Sequence, residues 1–412
     1  MLSEYCYTHL EADLAQWQAE KDPSLLSRLF CVFAAPHAAQ TDVLKHRVAT
    51  VLAEYLDDIS YERMIRTSIQ MRQSTSMEWS IDWTPYRIED FLTESMSDEE
   101  RRAVVIFASF HCCGYVRQRA VRALPDYPNT LPFIALRMAD WVIPQIRREA
   151  KQAFARRLPQ TTDQELLDTL PVIEQVKYCG NPQAYIAMLA PRLAGNTALF
   201  ERILGNPDIR IRRFGIPNIR EFLPETSGTV LIGHLTREPD PFLRQLILKS
   251  VVDSGQDLRP YYDLLLRDKY PRNRGIALSS LHDTDPEASL TTARAMLLDR
   301  NSYVRNIAKW IIRQHDSTFD LYDFYRTRIE EHPKVCIIEI AEIGKRREDV
   351  ARIESFLDPT HPAICRAAMK ALMQLDAPHY IQKIQEMLAS PRFSIARMAF
   401  KLLHHYPRTV RV

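Results

Sequence analysis

Residues 285–315 read DPEASLTTARAMLLDRNSYVRNIAKWIIRQH, and the spacing within this stretch decides the fold. Ala288, Leu290, Ala293, Ala295, Met296 and Leu297 give its first half a broad apolar stripe. Asp299, Arg300 and Asn301 interrupt the pattern. Val304, Ile307, Ala308, Ile311 and Ile312 then line one face of a second segment. Apolar residues three, four, seven and eight positions apart fall on one side of a 3.6-residue turn, and no alternation is present. The unit reads as two amphipathic helices joined by a polar turn.

The second half of this unit recurs along the chain. An apolar residue followed by arginine, with small or apolar residues further on at helical spacing, occurs at Val116 with Arg117, Ile146 with Arg147, Ile211 with Arg212 and Leu243 with Arg244. It returns at Asn273 with Arg274 and Val304 with Arg305, then at Val335 with Cys336 in the arginine slot, Cys365 with Arg366 and Ala396 with Arg397. From Arg212 onward the slots lie 32, 30, 31, 31, 30 and 31 residues apart, and Arg117 precedes Arg147 by 30. The 65 residues from Arg147 to Arg212 leave room for one eroded copy near residues 178–188. Four positions after the apolar residue stand Ala120, Ala150, Gly215, Ala277 and Ala308, with Met369 and Phe400 in the last copies. Pro207, Pro241, Pro271, Pro333, Pro359 and Pro391 mark the joins, where proline suits a first helical turn. This spacing predicts an all-α solenoid with a period of about 31 residues over 97–412, preceded by a less regular acidic helical region over 1–96.

The segments YVRQRAVRAL (115–124), SYVRNIAKWII (302–312) and PAICRAAMKAL (362–372) resemble the second helix of HEAT repeats, especially the short bacterial variety. The resemblance implies antiparallel helix pairs stacked into a curved superhelix, with the second helices on the concave side. It also implies that each recurring arginine pairs with an aspartate from the turn before it. Asp208 would then serve Arg212, Asp240 would serve Arg244 and Asp299 would serve Arg305. On activity it is silent.

Composition narrows the function. The chain has 412 residues, of which 46% are hydrophobic, so a large core is within reach. Ten glycines are few, and no nucleophile elbow, HExxH, P-loop or dinucleotide fingerprint is present. No cofactor is expected. His111, Cys112 and Cys113 are adjacent, as are His404 and His405, but consecutive helical residues point apart, so neither group reads as a metal site. The N-terminus lacks a basic stretch followed by an apolar one, no run is long enough to cross a bilayer, and seven cysteines show no disulfide spacing. These features point to a cytoplasmic protein with no membrane partner.

Charge is uneven. Residues 1–100 carry 8 Lys and Arg against 18 Asp and Glu, whereas 101–160 carry 11 against only Asp126, Asp140 and Glu149. Within that basic segment Arg117, Arg119 and Arg122 precede VIPQIRREAKQAFARRL (142–158), which holds Arg147, Arg148, Lys151, Arg156 and Arg157 on two or more faces. Packing alone does not use cations spread in that way, so they are expected to form a basic concave binding surface. Such a surface attracts phosphates as well as acidic proteins. A near-neutral chain, net +2, favours the protein partner over nucleic acid. The basic segment packing against the acidic N-terminal region is the competing structural account. Trp79 and Trp83, in QSTSMEWSIDWTP (73–85), either form an exposed contact loop or tuck beneath it.

The reading is a non-enzymatic scaffold: an adaptor, a regulator or a toxin inhibitor of the immunity type. One enzymatic alternative comes from VRNIAKWIIRQHDSTF (304–319), which is similar to a helix and turn of the HEAT-like alkylpurine DNA glycosylases. That similarity implies Trp310, with Asp140 and Trp141, as residues around a damaged base. No tryptophan with paired acids precedes Trp310 in the repeats, which departs from the pattern.

Overall fold

The computed structural model of the chain describes residues 4–57, 59–73, 81–140, 142–177, 182–344 and 347–405. Among them every regular element is helical and none is a strand. In chain order the helices of seven residues or more begin with α1 (Glu4–Glu20), α2 (Ala39–Asp57), α3 (Tyr61–Gln73), α4 (Asp98–Ala108) and α5 (Gly114–Ala123). Next come α6 (Leu131–Arg137), α7 (Pro144–Arg157), α8 (Asp163–Val176), α9 (Thr197–Leu204), α10 (Ile209–Phe222), α11 (Ser227–His234) and α12 (Pro241–Asp253). They continue with α13 (Pro271–Thr284), α14 (Pro286–Met296), α15 (Ser302–His315), α16 (Leu321–Thr327), α17 (Pro333–Glu339), α18 (Pro362–Glu386, interrupted at Asp376) and α19 (Phe393–His405).

The chain divides into two compact units, Met1–Ile247 and Leu248–Val412. In the first, α5 packs on α4 and α7, α8 packs on α6 and α10, and α10 packs on α9. In the second, α13, α14 and α15 pack on one another, and α18 lies against both α17 and α19. Helix stacked on helix with short polar turns is the organisation of an all-α repeat solenoid.

Local chemistry explains where the helices start. Ser97 and Glu100 form a capping box at α4, and Asp208, Asp285, Asn301 and Asp320 accept first-turn N–H groups at α10, α14, α15 and α16. Pro144, Pro271, Pro286 and Pro333 occupy first turns, where the missing N–H costs nothing. The small residues then let helices close up. Ala120, Ala150, Ala277 and Ala308 are fully buried. At Gly215 a β-carbon would stand 2.3 Å from Ile203 Cγ2, so only glycine admits that approach.

The arginine ladder is built differently from what the resemblance implies. Arg212 donates to the carbonyls of Asn206 and Pro207 at 2.7 and 3.0 Å, and its other nitrogens meet Glu238 at 2.9 and 3.1 Å. Arg274 donates to the carbonyl of Asp268 at 2.6 Å and to the Asp299 carboxylate at 2.7 and 2.8 Å. Arg305 donates to the carbonyl of Asp299 at 2.8 Å and to Glu339 at 2.6 Å. Each thus takes a carbonyl six residues back and a carboxylate from the following repeat. The aspartates of the preceding turns have other work. Asp208 pairs with Arg210 and caps α10, while Asp240 accepts from the N–H groups of Phe242 and Leu243. Capping holds a short side chain at its own helix, whereas an arginine is long enough to cross to the next repeat.

The series also thins towards the end. Cys336 is buried in the arginine slot, and Arg366 and Arg397 make no ion pair among the described residues. In α19 the buried positions are Ile395 and Ala399, one place earlier than the ladder anticipates. Ala399 is therefore the small residue of that copy, and Phe400 stands exposed.

Candidate functional site

Helix α7 presents the basic sequence, and its buried face is set by helical spacing. Ile146, Ala150, Ala153, Phe154 and Arg157 point inward. Arg148, Lys151 and Arg156 are exposed, and Arg147 is half-buried. Arg157 is ion-paired with Glu165 at 2.7 Å, and the same carboxylate accepts the N–H groups of Thr130 and Leu131 at 2.9 Å. That arginine is a structural link between α7 and α8, removed from any partner.

The cations of α5 are likewise engaged. Arg117 is buried, donates to the carbonyls of His111 and Cys112, and holds Asp140 at 3.2 Å. Arg119 donates to the carbonyls of Thr84 and Tyr86, tying α5 to the segment before α4. Arg122 pairs with Glu149 on α7, and Arg156 pairs with Asp126 at 3.2 Å. Packing therefore absorbs Arg117 and Arg157, Arg119 is tied to two carbonyls, and Arg122 and Arg156 are paired while staying exposed, so the basic run is less free than its spread over several faces leads one to expect. Helical faces that look redundant on one helix each meet a different neighbour here.

Three cations remain. Among the described residues, Arg147 and Arg148 have no ion-pair partner, and Lys151 lies 4.9 Å above the Tyr185 ring with no carboxylate against it. They stand one helical turn apart or less, so they act on an approaching charge together.

Trp83 is 2% exposed, enclosed by Phe30, Tyr86, Phe91 and His111, the last at 4.4 Å between ring centroids. It anchors its segment to the core instead of presenting a contact. Trp79 lies outside the described residues. His111 is buried in the same aromatic group, and Cys113 N–H donates to its Nδ1 at 3.0 Å. Burial, with the Arg117 charge second, pushes its pKa down to about 3. The ring is neutral at ordinary pH. Among the described residues no three or more His, Cys, Asp or Glu side chains group as a metal centre would need.

The residues of the glycosylase alternative fall apart chemically. Asp140 is buried, accepts the N–H groups of Val142 and Ile143 at 3.3 and 3.2 Å, and is held by Arg117. A carboxylate so engaged is a structural anchor. Trp141 lies outside the described residues. Trp310, in the second unit, is 49% exposed and meets His282 edge-on at 5.0 Å.

The first unit also contains a feature with no sequence signature, a cavity of about 480 Å³. It is bounded by the end of α2, the start of α3, and parts of α4, α6, α8 and α10. Tyr61 in its wall hydrogen-bonds Gln175, and Arg210 clasps Glu62 and Asp208 while lying 5.1 Å over the Tyr61 ring. Burial pushes the Tyr61 phenol up to about 12. Its walls come from positions as far apart as 57 and 211, which no local motif connects.

No protein-family model matches the sequence, and comparison with curated protein sequences returned no match. Among solved structures the chain is similar to Kap121p, at 12% identity and a TM-score of 0.30, over 94% of this chain and 46% of that one. The chain thus spans about half the length of that protein, and a likeness this distant carries no argument about activity. Its own helices establish the class: this chain is an all-α helical repeat solenoid.

Proposed function

We propose that the chain is a non-enzymatic binding scaffold of the HEAT-like kind, close to the short bacterial variety, which holds a protein partner on the exposed face of α7. The observation that carries this reading is the trio Arg147, Arg148 and Lys151, which make no ion pair among the described residues while Arg117, Arg122, Arg156 and Arg157 each hold a carboxylate within the fold. Like charges within one turn repel, and an anionic partner offsets that repulsion. A protein surface bearing carboxylates supplies it. Adaptor, regulator and toxin-inhibitor roles all use such a surface. A cytoplasmic setting agrees with Cys113, Cys336 and Cys365, which form no disulfide among the described residues. Among the described residues no helix is long and apolar enough to cross a membrane. The engagement of Asp140 supports the non-enzymatic reading, since base excision by this chain would need that acid free.

The test is capture from extracts of the native host with the wild type and with Arg148→Glu, Lys151→Glu. The charge-reversed chain is expected to fold normally and to bind the recovered protein at least tenfold more weakly, about 1.4 kcal/mol. Raising salt from about 50 to about 200 mM weakens the wild-type complex too, because exposed charges are screened over roughly 8–10 Å. Equal binding by both chains removes α7 as the surface. Recovery of nucleic acid in place of protein overturns the partner class.

A further inference from the structure

The cavity in the first unit is not basic, and its chemistry differs from that of α7. Ile106, Phe133, Ile211 and Met64 supply apolar wall. Among its charged residues, Glu165 is neutralised by Arg157, and Asp208 by Arg210. Three charges make no ion pair among the described residues: Asp57 at the end of α2, Asp168 on α8 and Arg102 on α4. Asp168 accepts only the neutral Gln164 amide, at 2.9 Å, among the described residues. Its carboxyl is pushed up, first by burial and then by the Glu165 charge, as expected of an acid that lacks a cation. Arg102 contributes a buried Nε–H with no acceptor. A buried donor without a partner costs free energy, and a ligand oxygen would relieve it.

These features converge on one kind of occupant. Two carboxylates call for a positive group, the unmatched N–H calls for a carbonyl oxygen, and the apolar wall calls for aliphatic flanks. A volume of about 480 Å³ accommodates a few residues of peptide. A nucleic-acid backbone would set phosphates against Asp57 and Asp168. We propose that this cavity receives an arginine or lysine side chain of a protein partner, flanked by apolar residues, with Asp57 and Asp168 facing the cation and Arg102 Nε donating to a peptide carbonyl. The inference rests on the protein-partner reading above but names a second surface, of opposite charge to α7. A partner that engages both presents acidic elements to α7 and a basic element to the cavity.

Three peptides test it on the full chain: acetyl-Leu-Arg-Leu-amide, its citrulline twin of nearly identical shape but no charge, and acetyl-Leu-Glu-Leu-amide. Calorimetric titration at millimolar peptide is expected to show the arginine peptide binding at least tenfold more tightly than the citrulline one, about 1.4 kcal/mol. Asp168→Asn, a near-isosteric change, is expected to erase that preference. Arg148→Glu with Lys151→Glu is expected to leave it intact. Equal binding of the arginine and citrulline peptides, binding of neither, or a preference that survives Asp168→Asn overturns the proposal. So does preferential binding of the glutamate peptide that Arg102→Gln removes, which would make the cavity an anion site. The two readings fail separately: loss of peptide discrimination with partner capture still dependent on Arg148 and Lys151 removes the cavity alone, and the reverse removes α7 alone.

Discussion

Arg305 and Arg366 occupy the same slot of the repeat, yet the protein uses them in opposite ways. Arg305 is buried between the carbonyl of Asp299 and the carboxylate of Glu339, which Lys309 also holds at 2.6 Å. Arg366 is half-buried and makes no ion pair among the described residues. The helices that carry them are alike, with an apolar residue buried just before each arginine. What differs is the following repeat. Glu339 on α17 comes up beside Arg305, whereas α19, the helix that follows Arg366 in the same position, carries no acid. A repeat position specifies which way a side chain points, and the neighbour determines what that side chain does.

The strongest way to break this comparison is to remove both arginines. Arg305→Ala leaves Glu339 buried with Lys309 as its one remaining cation, so roughly 3 kcal/mol of stability should be lost, the lower end for a broken buried pair because Lys309 stays. Arg366→Ala should change stability by less than about 0.5 kcal/mol, as ordinary surface substitutions do. Urea unfolding of the two variants decides it. Equal losses would mean that Arg366 has a structural partner after all, and a negligible loss at Arg305 would make the ladder ornamental.

The same contrast explains how much was legible beforehand. Helical period, turn prolines and small residues are local signals, so the all-α class and the repeat spacing could be read from Val304, Pro271 or Ala308 without any tertiary knowledge. The ladder's carboxylates could not, because Glu238 and Glu339 lie 26 and 34 residues beyond their arginines and in no fixed register. The basic segment misled for the same reason. Arg117, Arg119, Arg122, Arg156 and Arg157 form a dense cationic run in one dimension, and each finds a different acceptor in three. Of the two tryptophans in 73–85, Trp83 proved a core residue whose enclosing rings come from positions 30 to 111. The cavity had no signal at all, since it exists only where α2, α3 and α10 come together.

Histidines offer a second, smaller contrast. His111 is buried in the first unit, while His404 and His405 are exposed on α19. His111 has its pKa lowered to about 3, against about 6.5 in an unfolded chain. The unfolded state therefore binds a proton that the folded state refuses between those values. Stability from this group is fully present above about pH 6.5 and is lost as pH falls towards the folded value. At pH 5 the loss is about 2 kcal/mol relative to pH 7, from roughly 1.4 kcal/mol per unit. His111→Asn, whose amide oxygen can still accept from Cys113 N–H, should flatten that part of the pH profile. A profile indifferent to His111→Asn would place its cause elsewhere.

The smallest effect carries the comparison down to a single methyl group. Gly215 on α10 and Gly233 on α11 are both helical glycines of the first unit, and neither has a positive φ. In sequence they are equivalent liabilities, because glycine within a helix destabilises it by roughly 0.5–1 kcal/mol relative to alanine. Their neighbours separate them. A β-carbon at Gly215 would meet Ile203 Cγ2 at 2.3 Å, and Ile203 is fully buried, with a branched side chain that has no room to turn. A β-carbon at Gly233 meets nothing within 4 Å, and the residue is exposed. Gly233→Ala should therefore raise stability by about 0.5–1 kcal/mol. Gly215→Ala should lower it, because α9 and α10 must move apart to admit the methyl group. Opposite signs from one substitution show that the neighbouring helix sets the outcome at Gly215 and backbone propensity sets it at Gly233. If both variants are stabilised, α10 does not approach α9 as closely as the geometry states, and the small residues of the repeat owe their place to helix propensity alone.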